Sequence, residues 1–148
     1  MVELICKLLA ALLVGGILGW EREKRQKSAG LRTYMLVSLG SAAFMIAGLR
    51  IQDDFGETDL SAVRVDVQRI LAAIIGGVGF LGAGSIIESR GSVYGITTAA
   101  GIWVAAAGGI ACGCGYYDLA ALAAVSAWFV IVCVGRFEHR YFDDSDEG

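Results

Sequence analysis

The chain has 148 residues with a net charge of −3; 56% are hydrophobic, only 18% are charged, and there are 21 glycines and no proline. Soluble domains carry about 25% charged residues, so this composition and a mean hydropathy of +0.64 exclude an ordinary soluble globule. No basic arm or aromatic-interleaved basic patch marks a nucleic-acid partner.

The first apolar run covers residues 4–20 and is interrupted only by Lys7. Glu3 precedes it, no A-x-A-like site ends it and a dense charged block follows, so a retained membrane helix fits better than a cleaved signal. Ala11, Gly15 and Gly19 recur every fourth residue, the small-xxx-small pattern of close helix contact. Trp20 falls where an interfacial aromatic belongs. Residues 21–33 then carry five Lys/Arg, a loop obeying the positive-inside rule, with Glu21/Arg25 and Glu23/Lys27 as i,i+4 pairs. Gly30 supplies a stop or turn before the next helix.

A second helix is expected over 33–49, followed by an acidic segment over 50–68 with Asp53, Asp54, Glu57, Asp59 and Asp66. A third, glycine-rich helix covers 70–87, then a short loop over 88–95. The fourth helix covers 96–112, with Thr97, Gly101, Ala105, Gly109 and Gly113 at intervals of four. The fifth covers 119–135, and a charged tail follows over 136–148. The four cysteines show neither a disulfide framework nor zinc-ligand spacing, and the lone His139 lies in the tail.

Neutral runs of about 17–25 residues, repeated this often, predict a polytopic transmembrane helical bundle. The expected fold is all-α, with one five-helix membrane domain over residues 1–135. Five crossings put Arg22, Lys24, Arg25, Lys27, Arg32, Arg90, Arg136 and Arg140 on one side, and Arg50, Arg64 and Arg69 on the other. The positive-inside rule then expects the N-terminus outside and the C-terminus in the cytoplasm.

Within the third helix, Gly77-Val78-Gly79-Phe80-Leu81-Gly82 spells G-x-G-x-x-G. The dinucleotide reading fails because no strand precedes it and the following helix is the same apolar segment. Neither a P-loop string nor H-E-x-x-H nor G-x-S-x-G occurs, so the expectation is a non-enzyme that drives no ATP-powered transport by itself. Gly76, Gly77, Gly79, Gly82 and Gly84 leave two readings open. They either bring helices together or break the helix to line a polar cavity. Glu21, Arg22, Glu23, Arg32, Thr33, Glu88, Thr97 and Thr98 fall at one depth and are expected to form a polar cytoplasmic layer. Asp66 and Arg69, spaced i,i+3, are expected to pair at the opposite mouth.

Six blocks occur in one order: Gly19-Trp20-Glu21-Arg22-Glu23, Ala29-Gly30-Leu31-Arg32-Thr33, Gly40-Ser41-Ala42-Ala43-Phe44, Asp66 with Arg69, Gly77 through Gly84, and Gly95-Ile96-Thr97-Thr98-Ala99-Ala100. Together they resemble the MgtC/SapB family of bacterial inner-membrane proteins, over about residues 3–135. The sequence departs from the family where Gln is usual, at Ala73, and where Ser is common, at Gly76. Virulence-associated members add a soluble cytoplasmic domain, so a sequence reaching only Gly148 is expected to be a short form.

The resemblance implies a multi-pass protein of the bacterial inner membrane, tied to growth in low magnesium. In some members it implies inhibition of the ATP synthase and survival inside macrophages. Two functions are therefore expected in competition. One is an accessory or regulatory protein of magnesium and ion homeostasis, with no cofactor, acting on membrane partners such as ion transporters or the ATP synthase. The other is an ion transporter or channel formed by a homo-oligomer, with Mg2+ as ligand or substrate. Oxygen ligands suit Mg2+, but Arg22, Arg32 and Arg69 beside those acids argue against a bare cation cage.

Overall fold

The computed structural model describes residues 1–56 and 67–137. It contains five long helices: α1 (Val2–Lys24), α2 (Leu31–Gly56), α3 (Val67–Gly84), α4 (Ile96–Cys114) and α5 (Tyr117–Phe129), the last running on through a π-helical turn at Val130–Val134. Each provides a span long and apolar enough to cross a membrane. Five helices stand where five were expected; α2 runs on to Gly56, seven residues past its expected end and into the segment expected as an acidic loop. Large apolar side chains such as Leu13, Phe44, Phe80, Leu122 and Val125 face outward. Such a surface is stable only in lipid, and the chain is a multi-pass membrane protein.

The bundle is organised around one ridge on α2. Tyr34, Ser38 and Ala42, one turn apart, are almost completely buried. The small-residue stripe of α1 closes on one side of this ridge and that of α4 on the other. A Cβ added at Gly15 would stand 2.7 Å from Met35 Cα, and one at Gly19 2.8 Å from Leu31 Cα. On α4, a Cβ at Gly101 would strike the Tyr34 ring, one at Gly109 the Ser38 carbonyl, and one at Gly113 would lie 2.9 Å from the Ala42 carbonyl oxygen. Both stripes are thus consumed within one subunit. The α4 stripe begins at buried Thr98, one residue later than expected, because Thr97 points outward.

Burial follows from this arrangement. Some 56% of the α4 span is buried, against 17% for α3 and for α5. Helix α4 is the axis, and α3 is held on its flank.

The segment expected as a loop after α3 is instead a two-stranded antiparallel hairpin, β1 (Ile87–Ser89) with β2 (Ser92–Tyr94), in which Glu88 pairs with Val93. Arg90 and Gly91 both have positive φ, 54° and 80°, the requirement of the two-residue turn that matches strand twist. The hairpin also ends α3 three residues before the expected boundary. Ser85 Oγ donates to the Gly82 carbonyl at 2.7 Å and closes the last turn. Gly95, at φ 90°, starts α4 where a Cβ would strike the Ser85 carbonyl.

Candidate functional site

The first candidate site lies where the C-terminal end of α1 meets the N-terminal ends of α2 and α4. Arg22 is buried there, at 5% exposure. One of its terminal nitrogens donates to Thr98 Oγ1 at 2.7 Å, and its guanidinium lies beside the Tyr34 hydroxyl. Tyr34 in turn donates to the Thr98 carbonyl at 3.1 Å. Arg22, Tyr34 and Thr98 therefore tie three helices together at one depth.

This cluster holds a full positive charge among neutral partners. Arg22 makes no ion pair among the described residues, and its Nε is buried without a hydrogen bond. Burying an ion costs several kcal/mol unless it is well compensated. The N-termini of α2 and α4 add positive potential, which the C-terminus of α1 offsets in part, and neither α2 nor α4 has an acid in its first turn.

The adjacent acids are engaged elsewhere. Glu21 pairs with Arg25, as its i,i+4 spacing predicts. Glu23 does not pair with Lys27. Helix α1 ends at Lys24, and Gln26 adopts a left-handed φ of 50°, so the i,i+4 geometry is lost. Glu23 Oε2 instead accepts from the Leu31 amide at 2.9 Å and caps α2 across the turn. Gly30 is needed for this reach, since a Cβ there would collide with the Glu23 carboxylate. Its role is close approach, not a positive-φ stop.

Of the eight residues expected in one polar layer, Arg22 and Thr98 meet in the core while Glu21 and Glu23 act at its edge. Arg32, Thr33, Glu88 and Thr97 are exposed and do not join them. Tyr34, absent from that set, is its centre. Its signal was the α2 ridge at intervals of four, opposite two glycine stripes at the same depth.

The glycine-rich stretch of α3 is the second candidate. The helix is continuous from Val67 to Gly84, so the broken-helix reading does not hold. Within the bilayer a freed amide or carbonyl has no water to replace its partner. Packing accounts for one glycine of the five: a Cβ at Gly82 would rest 3.6 Å from Ala99 on α4, whereas Gly76, Gly77, Gly79 and Gly84 meet nothing within 4 Å.

Near its other end α3 is pinned by Ile70, whose side chain occupies the space over Gly48 of α2. Between these anchor points α2 and α3 leave a lateral groove of about 990 Å³, lined by Leu36, Gly40, Phe44, Gly48 and Ile51 on one wall and Ala73, Gly77 and Leu81 on the other. Arg69 stands in its lining as the single charged residue among the described residues. Asp66, its expected partner, lies outside the described residues. No group of three His, Cys, Asp or Glu able to hold a metal ion occurs among the described residues.

Residues 8–140 match the sequence profile of the MgtC family. YhiD of Escherichia coli K12, which bears the provisional name of magnesium transporter, is 42% identical over 132 residues, 87% of this chain and 59% of that protein. Protein MgtC of Brucella abortus is 41% identical over 118 residues, 80% of this chain and 45% of that protein. Protein MgtC of Salmonella typhimurium is 39% identical over 129 residues, 87% and 49% respectively. The chain thus spans about half the length of the curated relatives it matches. No solved structure matches it.

Proposed function

The chain belongs to the MgtC family, and from that premise we propose an accessory or regulatory membrane protein of magnesium and ion homeostasis, one that works through contacts with other membrane proteins. The observation that carries this reading is Arg22. A cation path through the bundle would have to pass a buried guanidinium that makes no ion pair among the described residues, and a divalent ion is repelled there most. Of the acids beside Arg22, Glu21 is committed to Arg25 and Glu23 to the α2 amide. Around α4 the helices touch backbone to backbone, which leaves no room for a hydrated ion. Ion transporters and the ATP synthase are the partner classes this reading favours. It assigns the chain no enzymatic step and no resident cofactor.

Purified protein in liposomes tests the proposal directly. Mg2+ influx should equal that of empty vesicles, and a membrane protein should co-purify from cells grown in low magnesium. Flux above background that Glu21→Gln abolishes would overturn it in favour of an oligomeric transporter.

The same reading places the end bearing Arg22, Lys24, Arg25, Lys27, Arg32 and Arg90 in the cytoplasm of a bacterial inner membrane, with the N-terminus outside. Alkaline phosphatase fused after Arg64 should then be active. An inactive fusion there, with an active one after Lys27, would reverse the orientation.

A further inference from the structure

The α2–α3 groove has a length, a lining and a charge that together point to one occupant. On α2 it runs from Leu36 to Ile51, fifteen residue steps or about 22 Å at the helical rise of 1.5 Å. On α3 it runs from Arg69 to Leu81, about 18 Å. A bilayer is about 40–45 Å thick with its headgroup layers, so one leaflet from headgroup to midplane measures about 20–22 Å. The groove is therefore one lipid long. Its walls are apolar apart from Ser41 and Arg69, and it opens sideways to the membrane. Arg69, two residues into α3, stands at the end where headgroups lie, and it makes no ion pair among the described residues.

We propose that this groove is a binding site for one phospholipid, its acyl chain lying between α2 and α3 and its phosphate held by Arg69. The unpartnered glycine at its centre then has a reason. A Cβ at Gly77 meets nothing within 4 Å, so any side chain there would occupy the groove itself and not disturb a neighbouring helix. Gly48 narrows the headgroup end by admitting Ile70, and the exposed ring of Phe44 forms part of the α2 wall. Arginine suits a phosphate because its fork donates two parallel hydrogen bonds. This site goes beyond the homeostatic role proposed above and depends on no partner protein.

Native mass spectrometry of the full chain released from nanodiscs of phosphatidylethanolamine and phosphatidylglycerol tests it, the phosphate being common to both lipids. The wild-type chain should retain one phospholipid through a detergent wash. Gly77→Leu should abolish retention by filling the groove. Arg69→Gln should lower it roughly tenfold, the worth of one charge-assisted hydrogen bond. Gly76→Leu, equally open but outside the groove, should leave it unchanged, and melting in detergent run alongside shows that all three variants are folded. Equal retention in wild type and Gly77→Leu, or equal loss in the Gly76 and Gly77 variants, would overturn the proposal. A dimer that Gly77→Leu dissociates, with no lipid retained by either, would give the groove to a second copy instead.

Discussion

Helices α3 and α4 have similar compositions and opposite fates. Both are apolar, nearly equal in length and rich in glycine, yet α4 is the buried axis of the bundle and α3 its least covered flank, with α5. The difference lies in what stands opposite. Gly101, Gly109 and Gly113 face the α2 ridge of Tyr34, Ser38 and Ala42, whose backbone and ring occupy the space that Cβ atoms would need. On α3 only Gly82 has a neighbour at all, Ala99 at an ordinary contact distance of 3.6 Å, and Gly76, Gly77 and Gly79 meet nothing within 4 Å. A glycine pattern thus marks a helix capable of close approach; the ridge across from it decides whether the approach is made.

Substitution at matched positions gives the largest effect with which to break this contrast. Gly109→Leu drives a side chain into the Ser38 carbonyl and should cost about 3 kcal/mol or more, read from unfolding in mixed micelles. Gly76→Leu should stay within about 0.5 kcal/mol of wild type. Equal losses at the two positions would mean that α3 has a tight neighbour after all.

Next in size, and opposite in sign, is the buried cation. A buried charge without an ion-pair partner carries a desolvation cost of several kcal/mol that nothing repays, and Arg22 has no such partner among the described residues. Arg22→Met should therefore raise the unfolding midpoint while abolishing rescue of growth in low magnesium, if the charge at the α1–α2–α4 junction is kept for function. A variant that loses stability and keeps rescue would make Arg22 a structural tie and nothing more.

Much of this was legible in the sequence, and the illegible part has a physical pattern. Five spans, the α1 and α4 stripes and the Glu21–Arg25 pair follow from periodicity, which is local. The eight-residue polar layer does not survive as one layer because depth in the membrane was read without rotation about each helix. Arg22 and Thr98 face inward, whereas Arg32, Thr33 and Thr97, at nearby depths, face out. The hairpin was missed because Ile87 to Tyr94 is too short to show alternation, although Arg90-Gly91 provides its turn. The α3 glycines leave two readings open in the sequence because a string does not show what stands opposite it. Only the ridge on α2, in another part of the chain, separates α3 from α4.

A smaller effect isolates the turn that feeds this ridge into the bundle. Gly30→Ala puts a methyl against the Glu23 carboxylate and displaces the cap on Leu31, a loss of about 1 kcal/mol. Glu23→Gln keeps an acceptor in place and should cost less. If Gly30→Ala is neutral in thermal unfolding, the α1–α2 turn has slack and the register of the ridge is set by packing alone.

The smallest expected effect asks what kind of force closes the seam. Ser38 Oγ donates to the Ala11 carbonyl at 2.7 Å, the one side-chain hydrogen bond between α1 and the middle of the ridge among the described residues. Such bonds average about 0.6 kcal/mol inside membranes, because the separated helices also find partners. Ser38→Ala should therefore cost only about that much, since the Ser38 backbone, and not its hydroxyl, is what Gly109 packs against. A loss above about 2 kcal/mol would exceed the largest such bond measured in a membrane bundle. It would mean that the α1–α2–α4 seam is held by polar contact. The contrast with α3 would then rest less on close approach than on which helix offers the ridge an acceptor.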